Sequence, residues 1–526
     1  MSVQLLPVDI DERLRAVASE QPNAPAVKDA RRTLTWGEFD ARISRVANAL
    51  LARGVEPEDR VAILGRNSVA YLEVFFGCLR AGGCVVPLSS LSSDETLSGM
   101  LEDSGARLLF VGEEFAAPML PRAAQLARLR CGNVFTLDGR SAGIGTIEDF
   151  IAEAPSDHPA LKPEPSWAFN LIYSSGTTMA PKGIVQDRRF RAQEATDMAV
   201  AFAFDASMRT LVSTPLYSNT TLFFLVSTLA AGGCAILMEK FEAREFLRLC
   251  VKESVTHAVL VPVQFTRLLA EPTFESFDLS TFRGKFCTSA PLHASVKREV
   301  MERWPHGGLV EFYGMTEGGV NCTLFAHERP DKLDTVGLPA PDCDLRILDD
   351  AGRQLPPGAI GEIVGHGPKM MTGYFKQDAA TRAAIWHDAE GRRFQRSGDL
   401  GWLDEEGFLH LLDRKKDMII SGGFNVYAID LERALLQHPQ VVEAAVIGVP
   451  SERWGETPVA VVVVAPGSSV NPDALRSWAN ARLGKAQRIS EIRLVPSLPR
   501  NAIGKVLKRQ LRDGFTVAAV DSSGAP

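Results

Sequence analysis

Closely spaced cysteines are missing from this sequence: Cys78, Cys84, Cys131, Cys234, Cys250, Cys287, Cys322 and Cys343 lie far apart, and none forms a Cys-x-x-Cys step. Structural zinc sites and disulfide frameworks need tighter groupings, so neither is expected and the cysteines read as small buried residues. A basic excess is missing too. Lys and Arg total 57 against 64 Asp and Glu, a net charge of -7, whereas a nucleic-acid binder needs a positive face to neutralise phosphates. No uninterrupted apolar run approaches the length of a bilayer span, which argues against stable membrane insertion. The segment from Met1 to Glu12 carries acidic residues and lacks the basic-then-apolar order of a secretory signal. These absences predict a cytoplasmic protein that handles small molecules. No Gly-x-x-x-x-Gly-Lys-Ser/Thr loop occurs, so any nucleotide is held by something other than a Walker loop.

What is present is ordinary for a globular chain: 526 residues, 45% hydrophobic and 23% charged, with only the last few residues polar and featureless. That length exceeds one compact core, so two or more domains are expected. Thr35 and Glu38 have capping-box spacing, and Phe39, Ile43, Val46 and Leu50 then recur on one helical face until Gly54. An apolar run at Val61 to Leu64, a helical pattern from Tyr71 to Leu79 stopped by Gly82-Gly83, and a short strand at Cys84 to Pro87 follow. The rhythm continues at Leu211, Cys234 to Met238 and His257 to Val261, which predicts α/β layering on parallel strands. Further on, strands are predicted at Val441 to Val449 and Val459 to Ala465 and a helix at Ala474 to Leu483, a small α+β unit. The charged run Asp413-Arg414-Lys415-Lys416-Asp417 has no apolar period and reads as an exposed connector. The expected organisation is therefore a large N-terminal domain of layered sheets and helices over 1–413, a hinge at 414–416, and a small mobile α+β domain over 417–526.

Two segments carry chemistry on composition alone. Tyr173-Ser174-Ser175-Gly176-Thr177-Thr178-Met179-Ala180-Pro181-Lys182-Gly183 follows the strand-like run Ala168 to Ile172 and packs four Ser/Thr hydroxyls, two glycines and a lysine into eleven residues. Hydroxyls and free N–H groups can wrap phosphate oxygens, glycine permits close approach, and lysine supplies a positive charge. A solvated Ser/Thr-rich turn is the competing reading. In Glu311-Phe312-Tyr313-Gly314-Met315-Thr316-Glu317-Gly318-Gly319 a carboxylate between a hydroxyl and glycines could hold a magnesium ion that bridges phosphates, and a simple turn would look the same.

These segments occur in order with Arg396-Ser397-Gly398-Asp399-Leu400-Gly401-Trp402, the charged run extended to Met418-Ile419, Ser421-Gly422-Gly423-Phe424-Asn425, and Pro499-Arg500-Asn501-Ala502-Ile503-Gly504-Lys505. Together the six resemble the adenylate-forming superfamily, which contains acyl- and aryl-CoA synthetases, firefly-type luciferases and peptide-synthetase adenylation domains. The resemblance covers nearly the whole chain. It implies an ATP-dependent acid–CoA ligase that makes an acyl-adenylate and pyrophosphate, then acyl-CoA and AMP, using ATP, Mg2+ and coenzyme A. It implies that Ser174, Ser175, Gly176, Thr177, Thr178 and Lys182 line the β- and γ-phosphates, that Glu317 binds magnesium, and that Thr316 sits beside the α-phosphate. Glu311, Phe312, Tyr313, Gly314 and Met315 belong to the nucleotide site, with the Tyr313 ring on adenine and Ser289-Ala290-Pro291 on the other side of the base. Asp399, helped by Arg414, takes the ribose hydroxyls. Lys505 stabilises charge at the carboxylate and α-phosphate, Lys416 is the hinge, and Gly422, Gly423 and Phe424 border the path of the pantetheine thiol.

The sequence departs from the usual family pattern in several places. Met179 stands where glycine is common and Ala428 where proline is. Ser218 replaces a frequent histidine, Thr221 a glycine and Ser289 another glycine. The acyl pocket implied by the resemblance is walled by Tyr217, Ser218, Val263, Ser289, Gly314, Met315 and Gly319. No arginine stands among them to pair with a second carboxylate, which favours a monocarboxylic acid. A homodimer is compatible with the sequence. Two alternatives stay open: a standalone adenylating enzyme that loads an acyl group onto a carrier protein, and a catalytically silent relative of the fold.

Overall fold

The computed structural model describes residues 8–126, 128–129, 132–139, 141, 143–174, 182–415, 417–421, 424–451, 453–484, 487–500 and 505–522, with Ser174 and 516–522 described by their backbone alone. The chain divides into two compact units, one of 1–344 with 365–395 and one of 345–364 with 396–526. The expected hinge at 414–416 falls inside the second unit's range, and Lys416 lies outside the described residues.

The first unit is built on two twisted sheets. One runs, in spatial order, Leu338–Pro339, Asn321–Phe325, Gly308–Gly314, Gly284–Cys287, His257–Leu260, Arg209–Val212, Cys234–Leu237, Pro25–Lys28 and Thr33–Thr35. Its six central strands, Gly308–Gly314 through Pro25–Lys28, are parallel, with antiparallel strands at both edges. The other runs Gly373–Tyr374, Lys182–Asp187, Ala168–Ser174, Cys84–Pro87, Arg60–Leu64, Leu108–Val111, Val134–Thr136 and Gly145–Thr146, parallel except for its first two strands.

Local chemistry accounts for the elements between them. Helix Trp36–Ala52 starts in the predicted capping box, with both reciprocal Thr35 and Glu38 hydrogen bonds present, and buries Phe39, Ile43, Val46 and Leu50. Helix Val69–Arg80 is buried on every side, the mark of a central helix. Its two charged residues are paired: Glu73 with Arg42 at 2.6 Å and Arg32 at 3.0 Å, and Arg80 with Asp11 at 2.7 Å.

Strands Asp344–Leu348, Gly361–His366, Arg393–Leu403 and Leu409–Arg414 lie mainly in the second unit, which also holds a sheet ordered Phe424–Val426, Ile419–Ser421, Gly455–Val464 and Val441–Ser451, with Glu491–Leu494 parallel to Gly455–Val464. Helices Ala428–Leu436 and Pro472–Asn480 cover it over a core of Ile419, Leu431, Leu435, Val446, Val462 and Leu475. The α+β reading of this segment holds.

Two expectations need correction. Six cysteines are buried, but Cys343 is only partly so, and its thiol donates to the carbonyl of Gly319 at 3.2 Å; Cys131 lies outside the described residues. The charged run is not a bare connector. Asp413 and Arg414 complete a strand, and the Asp413 carboxylate accepts from the Ala428 N–H at 3.1 Å beside Lys508 at 3.8 Å. Burial raises the Asp413 pKa while Lys508 opposes the rise. Charge alone does not reveal that such residues are partnered. Among the described residues no helix is long and apolar enough to cross a membrane.

His257 begins a central strand, is 3% exposed, and packs on Phe204 and Phe286. Burial pushes its pKa down from 6.5 to about 4, so the folded state holds a neutral ring. The unfolded chain binds this proton near 6.5 and the folded one near 4, so the contribution is complete above the first value and lost as pH falls toward the second. Between about pH 7.5 and pH 5 this group is expected to cost about 2 kcal/mol of stability. His257→Gln should flatten that slope in denaturant midpoints measured at the two pH values, and an unchanged slope would remove His257 as its source.

Candidate active site at the carboxyl ends of the strands

In an open parallel sheet, side chains for a ligand come from the loops that leave the carboxyl ends of the strands. Four neighbouring strands of the first sheet deliver the expected segments there. Arg209–Val212 leads into Thr214-Pro215-Leu216-Tyr217-Ser218. His257–Leu260 leads into Val261 and Val263, and Gly284–Cys287 into Ser289-Ala290-Pro291. Gly308–Gly314 turns through Met315-Thr316-Glu317-Gly318-Gly319 and returns as Asn321–Phe325.

That last turn is fixed from outside the sheet. Gly318 and Gly319 have φ of 72° and 79°; a Cβ on Gly318 would lie 2.1 Å from the Lys369 carbonyl, and one on Gly319 would lie 2.7 Å from that of Gly365. Glycine is therefore required at both positions. The Gly319 N–H donates to the Lys369 carbonyl and the Met371 N–H to the Glu317 carbonyl, each at 2.7 Å. On the Glu317 side chain, Oε1 accepts from the Tyr374 hydroxyl at 2.9 Å. The Tyr374 ring also lies 4.9 Å from Lys182 Nζ, a cation–π distance. Lys182 opens the strand Lys182–Asp187, which pairs antiparallel with Ala168–Ser174 from Ser174↔Lys182 onward. This hairpin brackets the hydroxyl-rich loop; Ser175, Gly176, Thr177, Thr178 and Met179 lie outside the described residues, as does the Ser174 side chain. The loop's lysine and the Thr-Glu turn therefore meet at one tyrosine.

A buried polar network backs this junction. Gln186 donates to the Thr316 carbonyl at 2.7 Å. Arg191, fully buried, donates to Gln186 at 2.5 Å, Asn219 at 2.7 Å and Asn170 at 3.0 Å, and pairs with Glu194 at 2.7 Å. A buried charge with its donors this fully used fixes geometry at sites distant in sequence.

Glu311, expected in the nucleotide site, points inward instead: it is 1% exposed, accepts from the Leu292 N–H at 2.6 Å and pairs with Lys297 at 2.5 Å. It anchors the Ser289-Ala290-Pro291 turn from behind. Phe312 stacks on Phe286, with rings 5.8 Å apart and 5° from parallel, whereas Tyr313 and Gly314 complete the strand opposite Cys322 and Asn321. Tyr217 is buried, which raises its phenol pKa while the hydroxyls of Ser89 and Ser90 lower it. Ser218 caps helix Asn219–Ala230 through its backbone. The Thr221 hydroxyl donates to Pro215 O at 2.6 Å and lies 2.8 Å from Thr214 Oγ1. Ser289 has φ of 80°, a left-handed conformation that costs a side-chain-bearing residue about 1–2 kcal/mol and that glycine would adopt freely.

In the second unit Asp399 and Arg414 face each other across paired strands, Nε to Oδ1 3.3 Å. Gly398, φ 70°, and the Ser397 hydroxyl, which accepts from the Asp399 N–H at 3.0 Å, shape the strand backbone that presents Asp399. Lys505 is half-buried beside the bridge that pairs Arg500 with Val506. Phe424 is 63% exposed at the start of a strand; Gly422, Gly423 and Lys416 lie outside the described residues.

Sequence reasoning missed Tyr374, Gln186, Arg191 and Asn219. No spacing links them, and the available signal was only polar residues at otherwise apolar positions, such as Gln186 two places after buried Ile184.

Comparison with known proteins adds the following. The AMP-binding enzyme family model matches residues 14–375, and that of the AMP-binding enzyme C-terminal domain matches 430–505. A feruloyl-CoA synthase of an Amycolatopsis species is 36% identical over 504 residues, covering 95% of this chain and 97% of the relative. The fatty acid–[acyl-carrier-protein] ligase ScoC of Streptomyces coeruleorubidus is 32% identical over 508 residues, 95% of each. The ATP-bound structure of MatB from Rhodopseudomonas palustris superposes with a TM-score of 0.87 at 29% identity, covering 97% of this chain and 99% of that one.

Proposed function

We propose, from the premise that this chain belongs to the AMP-binding enzyme family, a set of residue roles by which it joins a monocarboxylic acid to coenzyme A. The enzyme class is that of its relatives, the AMP-forming acid–CoA ligases. In the first step a carboxylate oxygen bonds to the α-phosphorus of ATP and pyrophosphate leaves. In the second the thiol sulfur bonds to the acyl carbon, losing its proton, and AMP leaves.

The observation that carries the assignment is the junction of Lys182, Tyr374 and Glu317. It brings a cation and a carboxylate to one tyrosine at the stem of a hydroxyl-rich loop, charges that polyphosphate and its magnesium ion need. Lys182, with the loop from Ser174 to Thr178, holds the β- and γ-phosphates, and Thr316 stands at the α-phosphate. Among the described residues no three His, Cys, Asp or Glu cluster as metal ligands, so a magnesium ion would take Glu317 and complete its shell from phosphate and water; bound there, it neutralises phosphate charge. The Tyr313 ring stacks on adenine against Ser289-Ala290-Pro291, held from behind by Glu311, while Asp399 and Arg414 take the ribose. Lys505 supplies the ammonium for adenylation. A hinge at Lys416 exchanges it for the Gly422 to Phe424 passage in the thioester step. Cytoplasmic ATP and coenzyme A supply the reaction.

Incubation with ATP, magnesium and a panel of carboxylic acids, with and without coenzyme A and followed by mass spectrometry, should give AMP and one class of acyl-CoA. Adenylate without thioester favours the second reading, a carrier protein as acceptor, which the similarity to ScoC supports. Neither product would defeat both.

A further inference from the structure

The first sheet has a second end, which none of the roles above uses. His257, Gly284 and Gly308 open three adjacent parallel strands and stand side by side in the pairings His257↔Gly284 and Gly284↔Gly308. They mark the amino edge, opposite the loops of the candidate active site. Two neighbouring glycines withhold two side chains from one face, and rings from elsewhere partly cover them. A Cβ on Gly284 would lie 2.7 Å from the Phe286 ring, and one on Gly308 would lie 2.4 Å from that of His327. What remains is a cavity of about 330 Å³, walled by Phe202, Phe286, Val310 and Phe325 and bordered by the exposed Val200 and Ala201. That volume is at the lower end of small-molecule sites.

Packed rings close the cavity toward the carboxyl ends of the strands. Phe312 follows Gly308 and Val310 on the same face of its strand. It lies parallel to Phe286 at 5.8 Å and edge-on to Phe223 at 5.5 Å, while Phe224 lies 4.6 Å from Phe286.

One polar group is left over in this apolar hollow. His257 is 3% exposed and lines the cavity, and its Cδ2 edge lies 3.2 Å from where a Cβ on Gly284 would stand. Thr256 Oγ1 accepts from the Arg209 N–H at 2.9 Å and is 3.4 Å from the Arg209 carbonyl, so its own proton goes to His257 Nδ1, 2.7 Å away. This assigns the tautomer of the neutral ring. Nε2, the atom next to Cδ2, carries the hydrogen and has no hydrogen-bond partner among the described residues. A buried donor left unused favours a ligand that brings an acceptor. At the rim Arg283 is paired with Asp205 at 3.1 Å, which leaves the Glu328 carboxylate in excess and disfavours an anion.

We infer that this cavity is a second ligand site, separate from the acyl and nucleotide sites, for a neutral aromatic molecule with an acceptor oxygen, of the aryl ketone or phenol class. Its ring lies among Phe202, Phe286 and Phe325, and its oxygen accepts from His257 Nε2–H. The site stands whether or not the chain is a ligase.

2-Acetylnaphthalene, 2-ethylnaphthalene and 2-naphthoate share one ring system and differ in acceptor and charge. Equilibrium dialysis of the full chain at neutral pH should show one saturable site for the ketone, with a dissociation constant below about 1 mM. The hydrocarbon and the carboxylate should displace it only at about 3- to 10-fold higher free concentration than the ketone itself requires. Ala201→Trp, which fills the cavity from an exposed helix position, should abolish ketone binding. His257→Phe should weaken the ketone about 3- to 10-fold, to the level of the hydrocarbon, and His257→Gln, which keeps an N–H donor, should stay within about threefold of wild type. Thermal midpoints check that each variant is folded. Absence of saturable binding, binding that survives Ala201→Trp, or equal binding of ketone and hydrocarbon overturns the site. Displacement by 2-naphthoate as readily as by the ketone overturns its separateness and gives the cavity to the acid substrate instead.

Discussion

Alanine in place of Lys505 is expected to lower acid-dependent pyrophosphate release by about 10²- to 10³-fold, the usual loss when one preorganised donor is removed from developing charge. Thioester formation from supplied acyl-adenylate should stay within about threefold, since the thiol step expels AMP from a bond already made. The distinction matters because Lys505 is half-buried next to the Arg500 and Val506 bridge, where a merely structural lysine would depress both half-reactions together. Parallel loss in the two assays would contradict the assigned role. The measurement is single-turnover release of pyrophosphate set beside single-turnover formation of acyl-CoA.

The second large effect concerns stability. Lys297→Met should cost about 3–5 kcal/mol, because it strands Glu311 as an unpaired charge in the interior and leaves the Leu333 and Thr335 carbonyls, now bonded to Lys297 Nζ at 2.7 and 3.2 Å, without their donor. Burial already raises the Glu311 pKa while Lys297 opposes it; without the lysine the carboxyl rises further. A raised folded-state pKa stabilises at low pH and is lost as pH climbs through it, so the deficit should be smaller at about pH 5 than at about pH 8. Adding Glu311→Leu should recover part of it. Denaturant midpoints of the three proteins at both pH values decide the matter, and a deficit that ignores pH would break the link to Glu311.

The parts of this molecule that could be read from sequence are those written in neighbouring residues. The Thr35 and Glu38 cap, the apolar face of the helix behind it, and strand Cys84–Pro87 each depend on a few adjacent side chains, and each appears where expected. The functional segments were legible for the same reason: Thr316-Glu317 and the loop ending at Lys182 are contiguous. What joins them was not. Tyr374 lies 57 residues beyond Glu317, and Arg191 gathers partners from Asn170 to Asn219, through pairings that only the folded sheets create. Glu311 shows the converse: its motif placed it in the ligand site, but the alternation of its strand turned its carboxylate toward Lys297.

For anyone altering the turn after strand Gly284–Cys287, the backbone at Ser289 narrows the choices. A residue held at φ 80° accepts glycine freely and asparagine or aspartate with little difficulty, while β-branched and bulky side chains are strongly disfavoured. Random libraries at that position will be dominated by poorly folding members, whereas Thr220, in a regular helix, carries no such backbone limit. Changes at this turn that keep the fold are therefore confined to Gly, Asn and Asp at position 289.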